Sequence, residues 1–398
     1  MRFSAYFQGG LRGENARRRA RKLLILNWRD PWHPEGGGSE LYVAEAARRL
    51  QESGVRITIF SALYPGAARD EEREGIRYVR RGGHLTVYLW SALFLLTRRF
   101  GRLDVVLEVQ NGMPFLARLF TRARVAVLVH HVHREQWSIL GPVLSRVGWF
   151  MESRVAVRVN RGTPYVTVSE VTRSELVDLG VRAKDITIAW NGMPPVPDHV
   201  PRPQSHAPQL VMLVRLVPHK RVEHAMEAVA ALRHRHPGLH LTVMGSGWWE
   251  PQLLERRAEL GLDDSVSFLG HVSNRTKFEV LSEAWVHLLP SVKEGWGLSI
   301  VEAAHVGVPS IAYADAGGVR ESILDGVTGL LATDLPDLIA RVDQLLADGD
   351  LRRDLGDKAR VRSEQFTWDA TAASVASVLG FPAPAVSPSE PARLAGPG

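Results

Sequence analysis

From Lys22 onward, short β-rich apolar runs alternate with longer segments of helical spacing. Leu23–Leu26, Val55–Phe60, Asp104–Val109, Arg124–Val129, Tyr165–Val168 and Ile186–Ala189 predict buried strands, and Glu40–Ser53 and Ser169–Leu179 predict helices between them. The pattern stops at Asn191-Gly192. Pro194, Pro195, Pro197, Pro201, Pro203 and Pro208 then exclude a persistent helix or central strand. It resumes with strands at Leu210–Leu213, Leu239–Met244, Val266–Leu269, Val286–Leu289 and Ser310–Tyr313, separated by helices at Arg221–His236, Glu250–Leu260 and Arg275–Ala284. Such alternation builds parallel sheets wrapped by helices.

The expected organisation is an arm (1–21), a first α/β domain (22–192), a Pro-rich linker (193–208) and a second α/β domain (209–380). A C-terminal helix is expected to return to the first domain, ahead of a disordered tail (381–398) rich in Pro, Ala, Ser and Gly. The longest apolar run, Leu85–Leu96, is interrupted by Thr86, Tyr88 and Ser91. It falls short of the ~18–20 continuous apolar residues that cross a bilayer, so it predicts a buried helix or an interfacial segment.

Composition narrows this picture. With 398 residues, 45% of them hydrophobic and 23% charged, the chain can bury two real cores; a disordered, collagen-like or small stapled chain is excluded. The absence of cysteine removes disulfides, thiolate metal sites and cysteine nucleophiles, and fits a reducing compartment. The net charge of +6 is carried by Arg2, Arg12, Arg17, Arg18, Arg19, Arg21 and Lys22 against Glu14 alone, leaving the rest formally neutral. A neutral body argues against a dedicated nucleic-acid binder with a broad basic face. The arm fits contact with anionic lipid or RNA, or a solvated tail. No apolar core follows its arginines at once, so it does not read as a secretory signal. A cytoplasmic protein is expected, with the inner membrane face as the alternative. Trp137, Trp149, Phe150 and Met151 among Arg134, Arg146, Arg154 and Arg158 fit either a lipid or hydrophobic-acceptor surface or core packing with exposed arginines.

Ligands of open parallel sheets sit beyond the carboxyl ends of the strands, and four clusters fall there. Gly36-Gly37-Gly38-Ser39 follows the first strand: its glycines let amides approach an anion, or it is a plain turn with Ser39 as helix cap. No Gly-x-Gly-x-x-Gly follows that strand, which argues against a dinucleotide dehydrogenase. His130-His131-Val132-His133 ends a strand. Alternation turns His130 and His131 opposite ways and no acidic ligand lies at a recognisable spacing, so one cleft-facing histidine is expected rather than a metal site. Arg215 and Lys220 follow the first strand of the second domain, where two fixed cations suit a diphosphate. Glu294-Gly295-Trp296-Gly297-Leu298-Ser299 follows Val286–Leu289 and predicts a glycine loop opening a helix, with Ser299-x-x-Glu302 as a capping box in its first turn. Glu294 has no such structural role, and a carboxylate there suits sugar hydroxyls. Asp348-Gly349-Asp350 reads as a solvated loop between helices.

These clusters resemble the retaining, family-4 type of glycosyltransferase (glycosyl transferases group 1) with the GT-B fold. The resemblance rests on Glu294 and Glu302 within Pro290–Leu298, Glu302-Ala303-Ala304 leading to Gly307-Val308-Pro309, the Arg215/Lys220 pair, Met244-Gly245-Ser246-Gly247, Phe268–Val272 and Asn191-Gly192. Val214, Arg221 and Pro194 depart from it, standing where the family commonly has Gly, Gly and Asp. The resemblance implies two Rossmann-like domains facing each other across a cleft. It implies a nucleotide-diphosphate sugar as co-substrate, no metal and no other cofactor. Arg215 and Lys220 would bind the diphosphate, Glu302 the ribose, and Glu294 the sugar. Amides of Gly295, Trp296, Gly297 and Leu298 would contact sugar and phosphate, and the chain near Val272 would flank the base. Gly37 and Gly38 would close on the phosphate. His130 would stand near the transferred sugar, with His131 and His133 in reserve.

The expected activity is transfer of a hexose from the nucleotide-sugar to an acceptor, whether glycan, lipid-linked sugar or small molecule, with retention of configuration. The competing readings are another GT-B activity (phosphorylase or sugar-nucleotide epimerase) and a membrane- or RNA-associated binding protein with a vestigial site. Specific nucleic-acid recognition is not expected.

Overall fold

The computed structural model describes residues 20–34, 36–137, 141–193, 196–197 and 204–384. The first sheet contains β1 (Lys22–Leu26), β2 (Arg56–Ser61), β3 (Asp70–Arg73), β4 (Ile76–Arg80), β5 (Val105–Val109), β6 (Arg124–Val129), β7 (Tyr165–Thr167) and β8 (Ile186–Ile188). Their order is β3-β4-β2-β1-β5-β6-β7-β8, parallel throughout except for the antiparallel β3–β4 edge. The second sheet contains β9 (Gln209–Leu213), β10 (His240–Met244), β11 (Val266–Gly270), β12 (Val286–Leu289), β13 (Ser310–Tyr313) and β14 (Gly329–Ala332). It is fully parallel in the order β11-β10-β9-β12-β13-β14. In each sheet the direction of winding reverses beside the first strand, between β1 and β5 and between β9 and β12. That reversal opens a crevice at the strand ends, where ligands of this architecture bind.

Three strands, β3, β4 and β14, escape the hydrophobic pattern. β3 is Asp-Glu-Glu-Arg, an edge strand whose charge answers to solvent, and it pairs with the neighbouring β4. β14 is only Gly-Leu-Leu-Ala, too short for periodicity to show. The segment expected as a helix from Arg221 to His236 is helical over Val222–Leu232, beginning one residue after a left-handed Arg221.

Leu85–Leu96 forms the helix Val87–Leu96, which joins the core along one stripe only. Only Val87, Ser91 and Leu95 are buried, and Leu85, Leu89, Leu93 and Leu96 project outward. The buried-helix alternative is therefore wrong: one narrow stripe already satisfies the sheet beneath. The sequence 137–151 divides likewise. Trp137 packs over Gly148 and donates its indole N–H to Glu152 Oε2 at 2.6 Å, Trp149 is partly buried, and Phe150 is exposed.

The two domains share packing. Trp296 and Val301 of the second domain join the first-domain core together with Phe366 and Trp368, and Trp296 lies against Trp190 and Phe366. The C-terminal helix Trp368–Leu379 packs on the first-domain helix Gly38–Glu52, with Arg49 Nε donating to Asp369 Oδ1 at 2.5 Å. Gly192 is the residue that permits this return, since a Cβ there would lie 2.3 Å from the Trp368 amide nitrogen. Phe381 is buried beneath Arg21, so the expected tail starts too early at that residue. Residues 1–19 of the arm, half of the Pro-rich linker and residues 385–398 lie outside the described residues.

Candidate active site

The loop after β12 is held by close backbone contacts. Glu294 N–H donates to Ala316 O at 2.8 Å and Glu294 O accepts from Gly318 N–H at 3.0 Å. Gly295 meets the other domain, because a Cβ there would stand 2.4 Å from the carbonyl oxygen of His130. Gly297 adopts φ 86°, which favours glycine, and it rather than Ser299 precedes the first helical residue of Leu298–His305. The expected capping box is thus absent. Glu302 sits one turn deeper than expected, buried, and accepts from Lys277 Nζ at 2.6 Å. Across the crevice, Gly38 stands with its Cβ position 3.8 Å from Leu298 Cδ2, so the first-domain glycine turn faces the start of this helix. Gly37, not Ser39, caps the first-domain helix, and Glu40 Oε2 accepts its N–H at 2.8 Å.

Lys220 ends a short helical turn, Pro218–Lys220, after β9. Its Nζ donates to Glu294 Oε1 at 2.5 Å, and Val292 N–H donates to His219 O at 2.8 Å, which ties the two loops together. Arg215 is exposed on the same loop. The glycines of Met244-Gly245-Ser246-Gly247 allow this packing: a Cβ on Gly245 or Gly247 would strike Val214 O at 1.9 Å or Leu216 O at 2.1 Å. Arg221 takes φ 49°, ψ 47°, the left-handed conformation glycine adopts without strain, and lies over the Tyr313 ring at 5.4 Å. Its departure from the family pattern changes the side chain while the backbone keeps a glycine-like turn.

The histidines separate as strand alternation requires. His130 is buried edge-on to Tyr42, its Nε2 has no hydrogen-bond partner among the described residues, and burial with the nearby His133 pushes its pKa down to about 3. His131 and His133 stack at 4.1 Å. Buried Glu152 holds His133 through the backbone N–H at 3.1 Å and Nδ1 at 3.2 Å. His219 of the second domain is pushed down to about 4 by burial and by Lys220, with Glu294 opposing and Arg215 and His133 adding smaller downward pushes. Lys220, Glu294, Arg215, His219 and His133 are therefore electrostatic neighbours, drawn from both domains.

Val272 is partly buried beyond β11 against the cluster containing Phe278 and Val308. Trp296 turns its ring into the interdomain core, and its carbonyl accepts from the Ser322 hydroxyl at 2.9 Å. Glu152, His219 and Lys277 were not singled out from sequence, since nothing local marks a residue whose partner is remote. The same holds for the polar ties between domains, Lys293 with Glu175, and Glu321 Oε1 accepting from the Glu170 and Val171 amides at 2.7 and 3.2 Å. Asp348 caps the helix Gly349–Ser363, which gives the Asp348-Gly349-Asp350 run a structural role. Among the described residues no group of three or more His, Asp or Glu side chains could hold a metal ion.

Comparison with known proteins bears on this geometry. A family model described as Glycosyltransferase Family 4 matches residues 36–195, and one described as Glycosyl transferases group 1 matches residues 199–362. The chain is 29% identical over 390 residues to a GDP-mannose-dependent alpha-(1-6)-phosphatidylinositol monomannoside mannosyltransferase of Mycobacterium tuberculosis, covering 90% of this chain and 98% of that protein. It is 35% identical over 208 residues to an exopolysaccharide phosphotransferase of Streptomyces coelicolor, covering 51% of this chain and 22% of that protein. The chain thus spans less than two thirds of some curated relatives and nearly all of others. Its fold matches sucrose-phosphate synthase from Thermosynechococcus elongatus with a TM-score of 0.74 at 18% identity, over 90% of this chain and 98% of that one. With one family model on each sheet and both crevices facing the same glycine loop, the chain belongs to glycosyltransferase family 4 (glycosyl transferases group 1), whose GT-B members are retaining and metal-independent.

Proposed function

We propose that this chain transfers a hexose from a nucleotide-diphosphate hexose to an acceptor bound by the first domain, with retention of configuration. The observation that carries the reading is the Lys220–Glu294 pair, set beside the amide-lined start of Leu298–His305 and opposite Gly38. Cleavage of the donor develops positive charge on the sugar and negative charge on the departing diphosphate. Lys220 and Arg215 would meet that negative charge, together with the helix N-terminus, so charge forms where dipoles already point. Binding of the diphosphate would draw Lys220 from Glu294, freeing the carboxylate to accept sugar hydroxyls.

Glu302, steadied by Lys277, would accept the ribose hydroxyls, and the segment at Val272 would flank the base. Gly37 and Gly38 would close on the phosphate from the first domain, while amides of Gly295, Trp296, Gly297 and Leu298 contact sugar and phosphate. His130 stays neutral at physiological pH, so it would serve as a hydrogen-bonding partner near the sugar rather than as a fixed cation. The relative matched along 98% of its length uses GDP-mannose, which places that donor first in the panel. The acceptor would be a glycan, a lipid-linked sugar or a small molecule, and the compartment the cytoplasm or the inner membrane face.

The test is a thermal-shift panel of GDP, UDP, ADP and dTDP beside their nucleosides, followed by turnover of the matching sugar donor. A nucleotide at 100 times its Kd stabilises by about 2.7 kcal/mol. Arg215→Ala and Lys220→Ala are each expected to lower turnover ~10²–10³-fold with the fold intact. Equal stabilisation by nucleosides without the diphosphate, or wild-type turnover in both variants, rejects the reading. Incubation of the donor with phosphate and no acceptor separates transfer from phosphorolysis.

A further inference from the structure

The neutral body conceals a segregated charge. Residues 82–162 carry eleven arginines against Asp104, Glu108, Glu135 and Glu152, and Glu108 and Glu152 are buried. Glu108 is consumed by the amides of Phe115, Leu116 and Ala117, and Glu152 by His133 and Trp137. The charge this segment leaves uncommitted is thus mostly positive, a local excess that the neutral sum over the body does not display.

The same segment holds the exposed apolar side chains of two helices. On Val87–Leu96, Leu89 is 71% exposed and Leu93 and Leu96 lie beside it at helical spacing. On Pro142–Phe150, Val143, Leu144, Val147 and Phe150 are exposed. Both helices cover one face of the first sheet. Val125 packs in the cluster under the first helix, and Val127 and Val129 pack in the cluster that includes Trp149 and Val157. Alternate residues of one strand point to one side. The turn Ala117–Leu119 lies between them: it touches the first helix, Arg118 donates to the Val159 carbonyl, and Leu119 is exposed. Arg98, Arg99 and Arg102 follow the first helix, and Arg146, Arg154 and Arg158 lie on or just after the second. Among the described residues none of these six forms an ion pair.

We propose that this face docks on an anionic lipid surface, with the leucines entering the headgroup boundary and the arginines meeting lipid phosphates. Protruding leucines interleaved with unpaired cations match that solvent on both counts. RNA would satisfy the arginines and leave the leucines against polar ribose and phosphate. A symmetric contact with a second copy would set the arginine patch against itself. The proposal is independent of the donor-site reading, and its test requires no catalytic activity.

The test is co-sedimentation of the full chain with phosphatidylcholine vesicles, with and without roughly one third phosphatidylglycerol, at low and raised salt. Leu89→Ser/Leu93→Ser and Arg98→Glu/Arg99→Glu alter exposed positions and retain the basic arm, and unchanged melting certifies their folds. Wild type is expected to pellet with the anionic vesicles only. Each double variant is expected to lose at least about tenfold in apparent affinity, the arginine variant because each basic residue near such a surface contributes roughly fivefold and the leucine variant because it removes apolar area from the headgroup boundary. Both variants pelleting like wild type would assign the binding to the arm and overturn the proposal. Equal pelleting with neutral vesicles would overturn it as well. So would a wild-type dimer that the leucine variant splits, or vesicle binding abolished by competing RNA and indifferent to the leucines.

Discussion

Gly295→Ala tests whether the interdomain contact sets the site. Gly295 does not lie at positive φ, so alanine introduces no backbone strain, and the perturbation is its Cβ alone. That atom would stand 2.4 Å from His130 O, 3.2 Å from His130 C and 3.4 Å from Val168 Cγ2. Ordinary carbon–oxygen contact needs about 1 Å more, and the obstacle is backbone at a strand end, unable to rotate away as a side chain would. The domains must part by about that distance along the line joining the glycine loop to the histidine strap. Overpacking of this kind costs roughly 1–3 kcal/mol. A 1 Å misplacement of reacting groups costs ~10²-fold in rate. The expected result is a fall of about 10² in kcat, with nucleotide affinity held within about threefold because the Arg215, Lys220 and Glu302 side chains are undisturbed. Stopped turnover assays and calorimetric titration of the nucleotide separate the two quantities. Wild-type kcat in Gly295→Ala would refute the idea that closure at His130 positions the transferred sugar.

Three further outcomes follow from the packing. Lys277→Met leaves the Glu302 carboxylate buried without its ammonium, and loss of one partner of a buried pair costs about 3–5 kcal/mol; thermal melting should show this, and Lys277→Met/Glu302→Gln should recover part of it, whereas additivity would contradict the pairing. The pKa of His130 is depressed to about 3 and that of His219 to about 4, so both stay neutral in the fold while the unfolded chain takes up protons below about pH 6.5. Their contribution is present above that pH and declines as pH falls toward the folded values, by about 1.4 kcal/mol per unit for each histidine, so His219→Gln should flatten the loss of melting temperature between pH 6.5 and 4. Arg221→Gly removes a left-handed non-glycine residue together with its contact to Tyr313; relief of about 1 kcal/mol should raise the melting temperature slightly, and a marked fall would show that the aromatic contact outweighs the strain.

Much of the site was legible because chemistry in this architecture is confined to the segments after strands. Once the apolar runs located β1, β6, β9 and β12, the glycines, histidines, cations and Glu294 that follow them became candidates, whereas Glu152, His219 and Lys277, whose partners are remote in sequence, did not. Cap positions were less legible. Gly37 and Gly297 displaced Ser39 and Ser299 by two residues each, because a left-handed or extended glycine can start a helix without a side-chain acceptor.

What the sequence determined by itself was the order of buried strands, the two-sheet class, and the residues delivered to the crevices, all set by local alternation of apolar and polar positions. Tertiary structure alone decided which histidine is buried and which is held by Glu152, that Glu302 answers to Lys277, and that the Trp296 ring fastens the domains. It also decided that Leu85, Leu89, Leu93 and Leu96 remain outside, close in sequence to arginines that form no ion pair among the described residues. Periodicity reports that a side chain is apolar, and a formula charge reports a sum. Neither reports what lies opposite, because that depends on contacts between residues more than a hundred positions apart, such as His130 with Gly295.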